Sequence, residues 1–146
     1  MLGGSQNDRL FGDVGSDTLP GGNENDLLFD GSQADFLQGG LGRDVLRGGS
    51  GADVFNFASA SETVAGRAKP DVIEDFRADR DQIDLHSIAN GQAFTGNAAF
   101  NANSDAQVRY DRITGLLTGD TNGDGFLDYQ IKLGDGNALV QSGLIL

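Results

Sequence analysis

From Gly3 to Asn56 the chain repeats every nine residues, six times without a break in register: GGSQNDRLF, GDVGSDTLP, GGNENDLLF, DGSQADFLQ, GGLGRDVLR and GGSGADVFN. The sixth position is always aspartate (Asp8, Asp17, Asp26, Asp35, Asp44, Asp53), and the eighth is always large and apolar (Leu10, Leu19, Leu28, Leu37, Leu46, Phe55). Self-similarity at so short a period belongs to a solenoid whose coils stack to bury one continuous core. The first six residues of each block are rich in Gly, Asn, Asp and Ser, which accept positive φ, so they predict a tight loop. The last three alternate outward, inward, outward, so a short strand sends only its eighth-position side chain into the core. One coil then takes two blocks, and blocks n and n+2 stack at the ~4.8 Å strand spacing. The expected fold is all-β, a parallel β-roll carrying two columns of aspartates.

Those columns oppose their own formation. At an effective dielectric of about 20, two carboxylates ~5 Å apart repel by roughly 3 kcal/mol, and each column contains several such neighbours. A divalent cation between successive loops reverses the sign of that interaction. Hard oxygen ligands in six-fold or higher coordination suit Ca²⁺, whereas Mg²⁺ demands a tighter octahedron and gives up its water reluctantly. Six apolar positions cannot offset the ordering of so many loop residues, so folding coupled to metal is expected.

Charge supports cations as partners. The net charge is −12, and both parts of the chain are acidic: nine acidic and three basic side chains up to Asn56, thirteen and seven beyond it. Nucleic acid and anionic membrane surfaces are therefore poor partners for it, and multivalent cations natural ones. There is no cysteine, hence no disulfide framework. No apolar run approaches the ~20 residues of a membrane span, and no charged leader with an apolar core follows Met1. Met1 and Leu2 fall where the eighth and ninth positions of an earlier block would lie, so the chain reads as a C-terminal piece of a longer protein.

Beyond Asn56 the period vanishes, and glycine falls from 13 in the first 56 residues to 10 in the last 90. This divides the chain into a repeat region, 1–56, and a cap, 57–146. Short β-type runs recur between turn signals: Val72–Phe76, Gln82–Leu85, Ala106–Tyr110, Gly115–Thr118, Phe126–Leu133 and Leu139–Leu146. They predict an antiparallel sandwich or sheet that covers the open end of the roll, where apolar core and strand edges would otherwise be bare.

The whole chain resembles the C-terminal region of serralysin-type secreted metalloproteases and related repeats-in-toxin (RTX) proteins. The six repeats carry the resemblance, with Ala52–Phe57, Pro70–Phe76, Asp81–Leu85 and Asn122–Tyr129 as later signatures. In that family each ion is held by second- and fourth-position carbonyls and the sixth-position carboxylate of one loop. The loop two blocks on adds its first- and third-position carbonyls and its own carboxylate. The resemblance thus implies four sites. Gly4, Gln6 and Asp8 would meet Gly21, Asn23 and Asp26, and Asp13, Gly15 and Asp17 would meet Asp30, Ser32 and Asp35. Gly22, Glu24 and Asp26 would meet Gly39, Leu41 and Asp44, and Gly31, Gln33 and Asp35 would meet Gly48, Ser50 and Asp53. Glu62 and Asp71 are implied to close further sites with Gly40, Gly42 and Asp44 or with Gly49, Gly51 and Asp53. Five residues depart from the glycine pattern: Gln6, Glu24 and Gln33 at position four, Asp13 at position two and Asp30 at position one. The two aspartates are candidate extra carboxylate ligands.

The resemblance further implies at least four Ca²⁺ ions, a secreted, extracellular destination reached through a type I (ABC) secretion apparatus, a monomer, and an upstream domain of a parent protein such as a protease. The family's secretion signal ends on an acidic residue followed by apolar ones; here Ser142 and Gly143 precede the apolar Leu144, Ile145 and Leu146. A carbohydrate-binding or adhesive module, like the accessory repeats of alginate epimerases, is the alternative, with outward-facing Phe11, Leu27, Phe29 and Phe36 as its candidate surface or as a face for the cap or upstream domain. Catalysis by this chain is not expected. His86 is the sole histidine, which rules against a His-based zinc site or a Ser-His-Asp triad, and no metalloprotease or nucleophile-elbow motif occurs. Asp120 to Asp128 mimics the start of an EF-hand loop, but Ile131 stands where the bidentate glutamate belongs, so a hairpin turn is expected.

Overall fold

The computed structural model describes residues 2–62, 69–89, 92–96, 98, 106–134 and 139–146; Met1 and Ala138 lie outside them. The repeats form β1 (Gly4–Ser5), β2 (Arg9–Val14), β3 (Thr18–Asn23), β4 (Leu27–Ser32), β5 (Phe36–Leu41), β6 (Val45–Ser50) and β7 (Val54–Asn56). The later segment adds β8 (Asp71–Ile73), β9 (Gln82–Asp84), a one-turn helix α1 (His86–Ala89) and β10 (Ala93–Phe94). It continues through β11 (Gln107–Asp111), β12 (Leu116–Asp120), β13 (Tyr129–Leu133), a 3₁₀ turn (Gln141–Gly143) and β14 (Leu144–Ile145).

Each repeat strand pairs in parallel with the strand two blocks on, so β2 runs beside β4 and β6, and β3 beside β5 and β7. The offset is eighteen residues throughout, as in Leu10↔Leu28↔Leu46 and Leu19↔Leu37↔Phe55. The full strands are six residues long rather than three, because pairing resumes at positions two and three after skipping position one. The corner is built at positions two and four, where φ is positive in all six blocks, including the non-glycines Asp13 at 69° and Gln6, Glu24 and Gln33 at 74–89°.

The roll does not end with its period. β8 adds to β6 through Val45↔Val72 and Leu46↔Ile73, and β9 adds to β7 through Val54↔Gln82 and Phe55↔Ile83. β13 and β14 follow in parallel with β8 and β9. The core is therefore two apolar ladders, Leu10–Leu28–Leu46–Ile73–Leu133 and Leu19–Leu37–Phe55–Ile83–Leu144, all buried. Among the described residues antiparallel pairing appears only in β11–β12–β13, which extend the first sheet as the expected cap. The runs read from the sequence fall close to β8, β9, β11, β12 and β13, but Phe126–Asp128 is loop and most of Leu139–Leu146 is the 3₁₀ turn and its approach. The two-residue β10 and one-turn α1 are too short to leave a periodic signal.

The last coil's open edge is sealed by side chains. Asp75 accepts the Gly48 and Gly49 N–H groups at 3.1 and 2.8 Å and lies 3.6 Å from Arg47, and Arg80 donates to the Gly49 carbonyl. Two of the outward aromatics meet within the roll: Phe11 stacks on Phe29 one coil above, ring centroids 5.5 Å apart. Leu27 and Phe36 stand in outer ladders beside Val45 and Val54.

Candidate metal centre

The eighteen-residue register places Asp8, Asp26 and Asp44 in one column and Asp17, Asp35 and Asp53 in the other. Within each column the carboxylate divides its work. Its Oδ1 accepts the backbone N–H of the aspartate one coil below: Asp26 from Asp8 at 2.8 Å, Asp35 from Asp17 at 2.9 Å, Asp44 from Asp26 at 2.8 Å and Asp53 from Asp35 at 3.2 Å. In five of the six, Oδ2 accepts nothing. Asp8, Asp26, Asp35, Asp44 and Asp53 each hold a buried Oδ2 without a hydrogen-bond partner. A buried carboxylate oxygen left bare is costly, and the same bare oxygen at the sixth position of five of the six blocks is an arrangement a cation would complete.

Backbone carbonyls face the same gaps. A Cβ placed on Gly22, Gly31, Gly40 or Gly49 would sit 2.1–2.3 Å from the carbonyl oxygens of Gly4, Asp13, Gly22 and Gly31, position two of the coil below. A Cβ on Gly42 or Gly51 would strike the position-four carbonyls of Glu24 and Gln33, and one on Gly3 or Gly21 the position-one carbonyls of Gly21 and Gly39. Positions two and four must be glycine, or a strained residue at positive φ, for these oxygens to converge. Gln6, Asp13, Glu24 and Gln33 accept that strain and keep their side chains in solvent. Among the third-position residues, Ser32 and Ser50 turn their carbonyls to the Gly15 and Gln33 N–H groups of the coil below, while Asn23 and Leu41 pair in register. Gly15 and Gly42 repeat the position-four turn, and Gly39 and Gly48 lie against the Oδ2 atoms of Asp44 and Asp53.

Both columns continue past the repeats. Asp71 Oδ1 accepts the Asp44 N–H at 2.8 Å, and Asp81 Oδ1 accepts the Asp53 N–H at 3.2 Å. Glu62, buried, accepts the Ala58 N–H and acts electrostatically on Asp44. The structure thus gathers Glu62 and Asp71 at Asp44 and sets Asp81 at Asp53. Asp81 is absent from the ligand set drawn from the repeats, yet its signal was present: Asp71-Val72-Ile73 and Asp81-Gln82-Ile83 repeat the Asp-x-apolar step of Asp44-Val45-Leu46 and Asp53-Val54-Phe55.

Electrostatics register the crowding. Burial, opposed by the hydrogen bond from Asp26 and reinforced by the Asp26 charge, raises Asp44 to about 7. Burial first, then the Asp81 charge, raises Asp53 to about 6, and burial followed by the charges of Asp35 and Asp17 raises Asp30 to about 7. Asp26, Asp35, Glu62 and Asp81 are raised as well, chiefly by burial. Without a cation these groups hold protons more tightly than an ordinary carboxylate, so the arrangement favours a positive charge in the gaps.

The loop at Asp120 is saturated internally. Asp120 takes the N–H groups of Asn122, Gly123 and Gly125, and Asp128 takes the backbone and hydroxyl of Thr121. It is the hairpin connection between β12 and β13. His86 is exposed at the start of α1.

The family described as Peptidase M10 serralysin C terminal matches residues 1–146. The chain belongs to that family. This serralysin C-terminal domain is also similar to two solution structures from the Azotobacter vinelandii mannuronan C5-epimerase. The AlgE6R2 subunit is 27% identical with a TM-score of 0.66, covering 100% of this chain and 91% of that one. The AlgE6R3 subunit is 26% identical with a TM-score of 0.67, covering 95% and 77%. No curated protein matches the chain. The family is a non-catalytic C-terminal one, and family and neighbours together support a calcium-binding RTX β-roll module. No helix among the described residues is long and apolar enough to cross a membrane.

Proposed function

We propose that this serralysin C-terminal domain binds at least four Ca²⁺ ions between its stacked loops and uses them to fold once outside the cell. The observation that carries the reading is the column of buried, unpartnered Oδ2 atoms at Asp8, Asp26, Asp35, Asp44 and Asp53. The four inter-loop sites take the carboxylates and carbonyls assigned above, with Glu62, Asp71 and Asp81 closing the upper end. In a low-calcium cytosol the like charges hold the chain open, which suits passage through a type I secretion apparatus; millimolar external calcium then supplies the folding free energy. The domain is the non-catalytic, monomeric end of a larger secreted protein, with the repeats (1–56) as the ion-binding part and 57–146 as cap and secretion-signal region.

The test is a calcium titration of the chelator-treated chain followed by far-UV circular dichroism. The expected result is a cooperative gain of β signal with several ions bound per chain; a full β spectrum in excess chelator at neutral pH would overturn the reading. A second reading, an accessory carbohydrate-binding module, draws support from the structural neighbours, which are subunits of an enzyme named for mannuronan. Glycan binding that persists in excess calcium and is lost in Phe29→Ala would favour it.

A further inference from the structure

Asp30 occupies a position that is glycine in the other five blocks. The reason for glycine there is visible in the geometry. A Cβ added to Gly21, Gly39 or Gly48 would lie 2.5, 2.4 or 2.3 Å from the Oδ2 of Asp26, Asp44 or Asp53 in the same block. A position-one side chain is therefore driven straight into the space beside the unpartnered oxygen. In the fourth block that space holds a carboxylate. Asp30 is 1% exposed, and neither of its oxygens has a hydrogen-bond partner. It reaches down to the coil below, where a Cβ on Gly12 would sit 2.0 Å from its Oδ1. Gly12 opens the block that carries Asp17, and one carboxylate oxygen each from Asp17, Asp30 and Asp35 lies within 4.8 Å of the others.

The geometry points to a three-carboxylate cation site between the Asp17 and Asp35 loops, with Asp30 as a direct side-chain ligand in place of one backbone carbonyl contact. This rests on the calcium reading above and deepens it, because it makes one site on the roll unlike the rest. The other gaps between repeat loops are fed by two column carboxylates and neutral carbonyls, and only the upper end, where Glu62 joins Asp44 and Asp71, also has a third carboxylate; this one carries an additional full negative charge within the repeats. Ligand charge is a main determinant of affinity for hard cations, so this site fills first as calcium rises and discriminates most strongly for trivalent over divalent ions. Asp13, the other aspartate in a glycine position, does not share the role: it sits in solvent with its carbonyl, not its carboxylate, toward the gap.

The test is calorimetric titration of the full chain with CaCl₂ and separately with LaCl₃ at pH 7.5, comparing the parent chain with Asp30→Gly, Asp30→Asn and Asp13→Gly. Asp30→Gly restores the residue of the other blocks and is expected to fold in calcium; Asp30→Asn keeps the volume and one oxygen but drops the charge. The parent chain should show one calcium class about tenfold or more tighter than the rest, with the largest La³⁺ preference in that class. Asp30→Gly should lose that class without losing an ion, Asp30→Asn should fall between, and Asp13→Gly should match the parent. Calcium binding by Asp30→Gly that is equal to the parent's, tighter, or greater by one ion would overturn the proposal, since Asp30 would then be a bystander or a plug. Absence of calcium binding by the parent chain would instead overturn the calcium reading itself, and this proposal with it.

Discussion

The sixth-position aspartates divide their two oxygens between the proposed ligand role and a structural one. Asp26 accepts the Asp8 N–H and donates its own N–H to Asp44, so it is bonded to coils on both sides, and its Oδ2 faces a gap. Asp35 stands likewise between Asp17 and Asp53. Asp8 donates upward but has no aspartate coil below it among the described residues. Asp26→Ala and Asp35→Ala should therefore raise the calcium midpoint of folding by about tenfold or more and flatten its cooperativity, corresponding to roughly 1–3 kcal/mol for a buried hydrogen bond and ligand. Asp8→Ala should shift the midpoint by no more than about threefold. Chelator-buffered titrations read by circular dichroism check this, and equal shifts in all three variants would contradict the stacking.

Among the elements, β8 and β9 show that what continues the roll is the Asp-x-apolar step rather than the whole repeat. Neither segment has the glycine-rich loop, yet each pairs in register and sends an isoleucine into the core ladder. The capping hairpin is held differently. Asp120 is fully buried and its two oxygens take three backbone N–H groups, which holds this loop without an ion. Asp120→Ala should destabilise the calcium-loaded domain by about 1–3 kcal/mol, since three backbone donors, the buried Gly123 N–H among them, lose their acceptor. The number of bound ions should stay unchanged. Thermal melts in saturating calcium give the first quantity and calorimetry the second; loss of one ion would make the loop a metal site after all.

On the calcium reading, proton and metal compete across the whole molecule for one set of carboxylates. Burial in the fold raises Asp30 and Asp44 to about 7 and Asp53 to about 6, well above the ordinary carboxylate value of 3.8. A group raised in this way stabilises the folded state fully below its unfolded value, and that stability is lost as pH climbs through the folded value. In excess chelator the β signal should therefore be weakest above pH ~7 and grow as the solution is acidified from pH ~7 toward ~5. Calcium affinity should move the other way and fall across the same interval, because each ion must displace bound protons. Circular dichroism with and without chelator, measured at steps between pH 8 and 5, checks both; a calcium affinity flat across this range would exclude carboxylate ligation.

The nine-residue period by itself determined the roll, the eighteen-residue register, the two aspartate columns and the six inward apolar residues, because stacking identical coils leaves one way to bury the eighth position and superimpose the sixth. It also marked Gln6, Asp13, Glu24, Gln33 and Asp30 as departures. It could not say that the first four would merely bear a left-handed backbone in solvent while Asp30 would be buried against two other carboxylates. The Asp-x-apolar step marked Asp81 as a column-like aspartate but not its partner, since Asp53 and Asp81 are joined across 28 residues in which the nine-residue period is lost. Those outcomes depend on which atoms of one coil lie against which atoms of the next, and that is decided by packing across the gap, not by the order of residues along it.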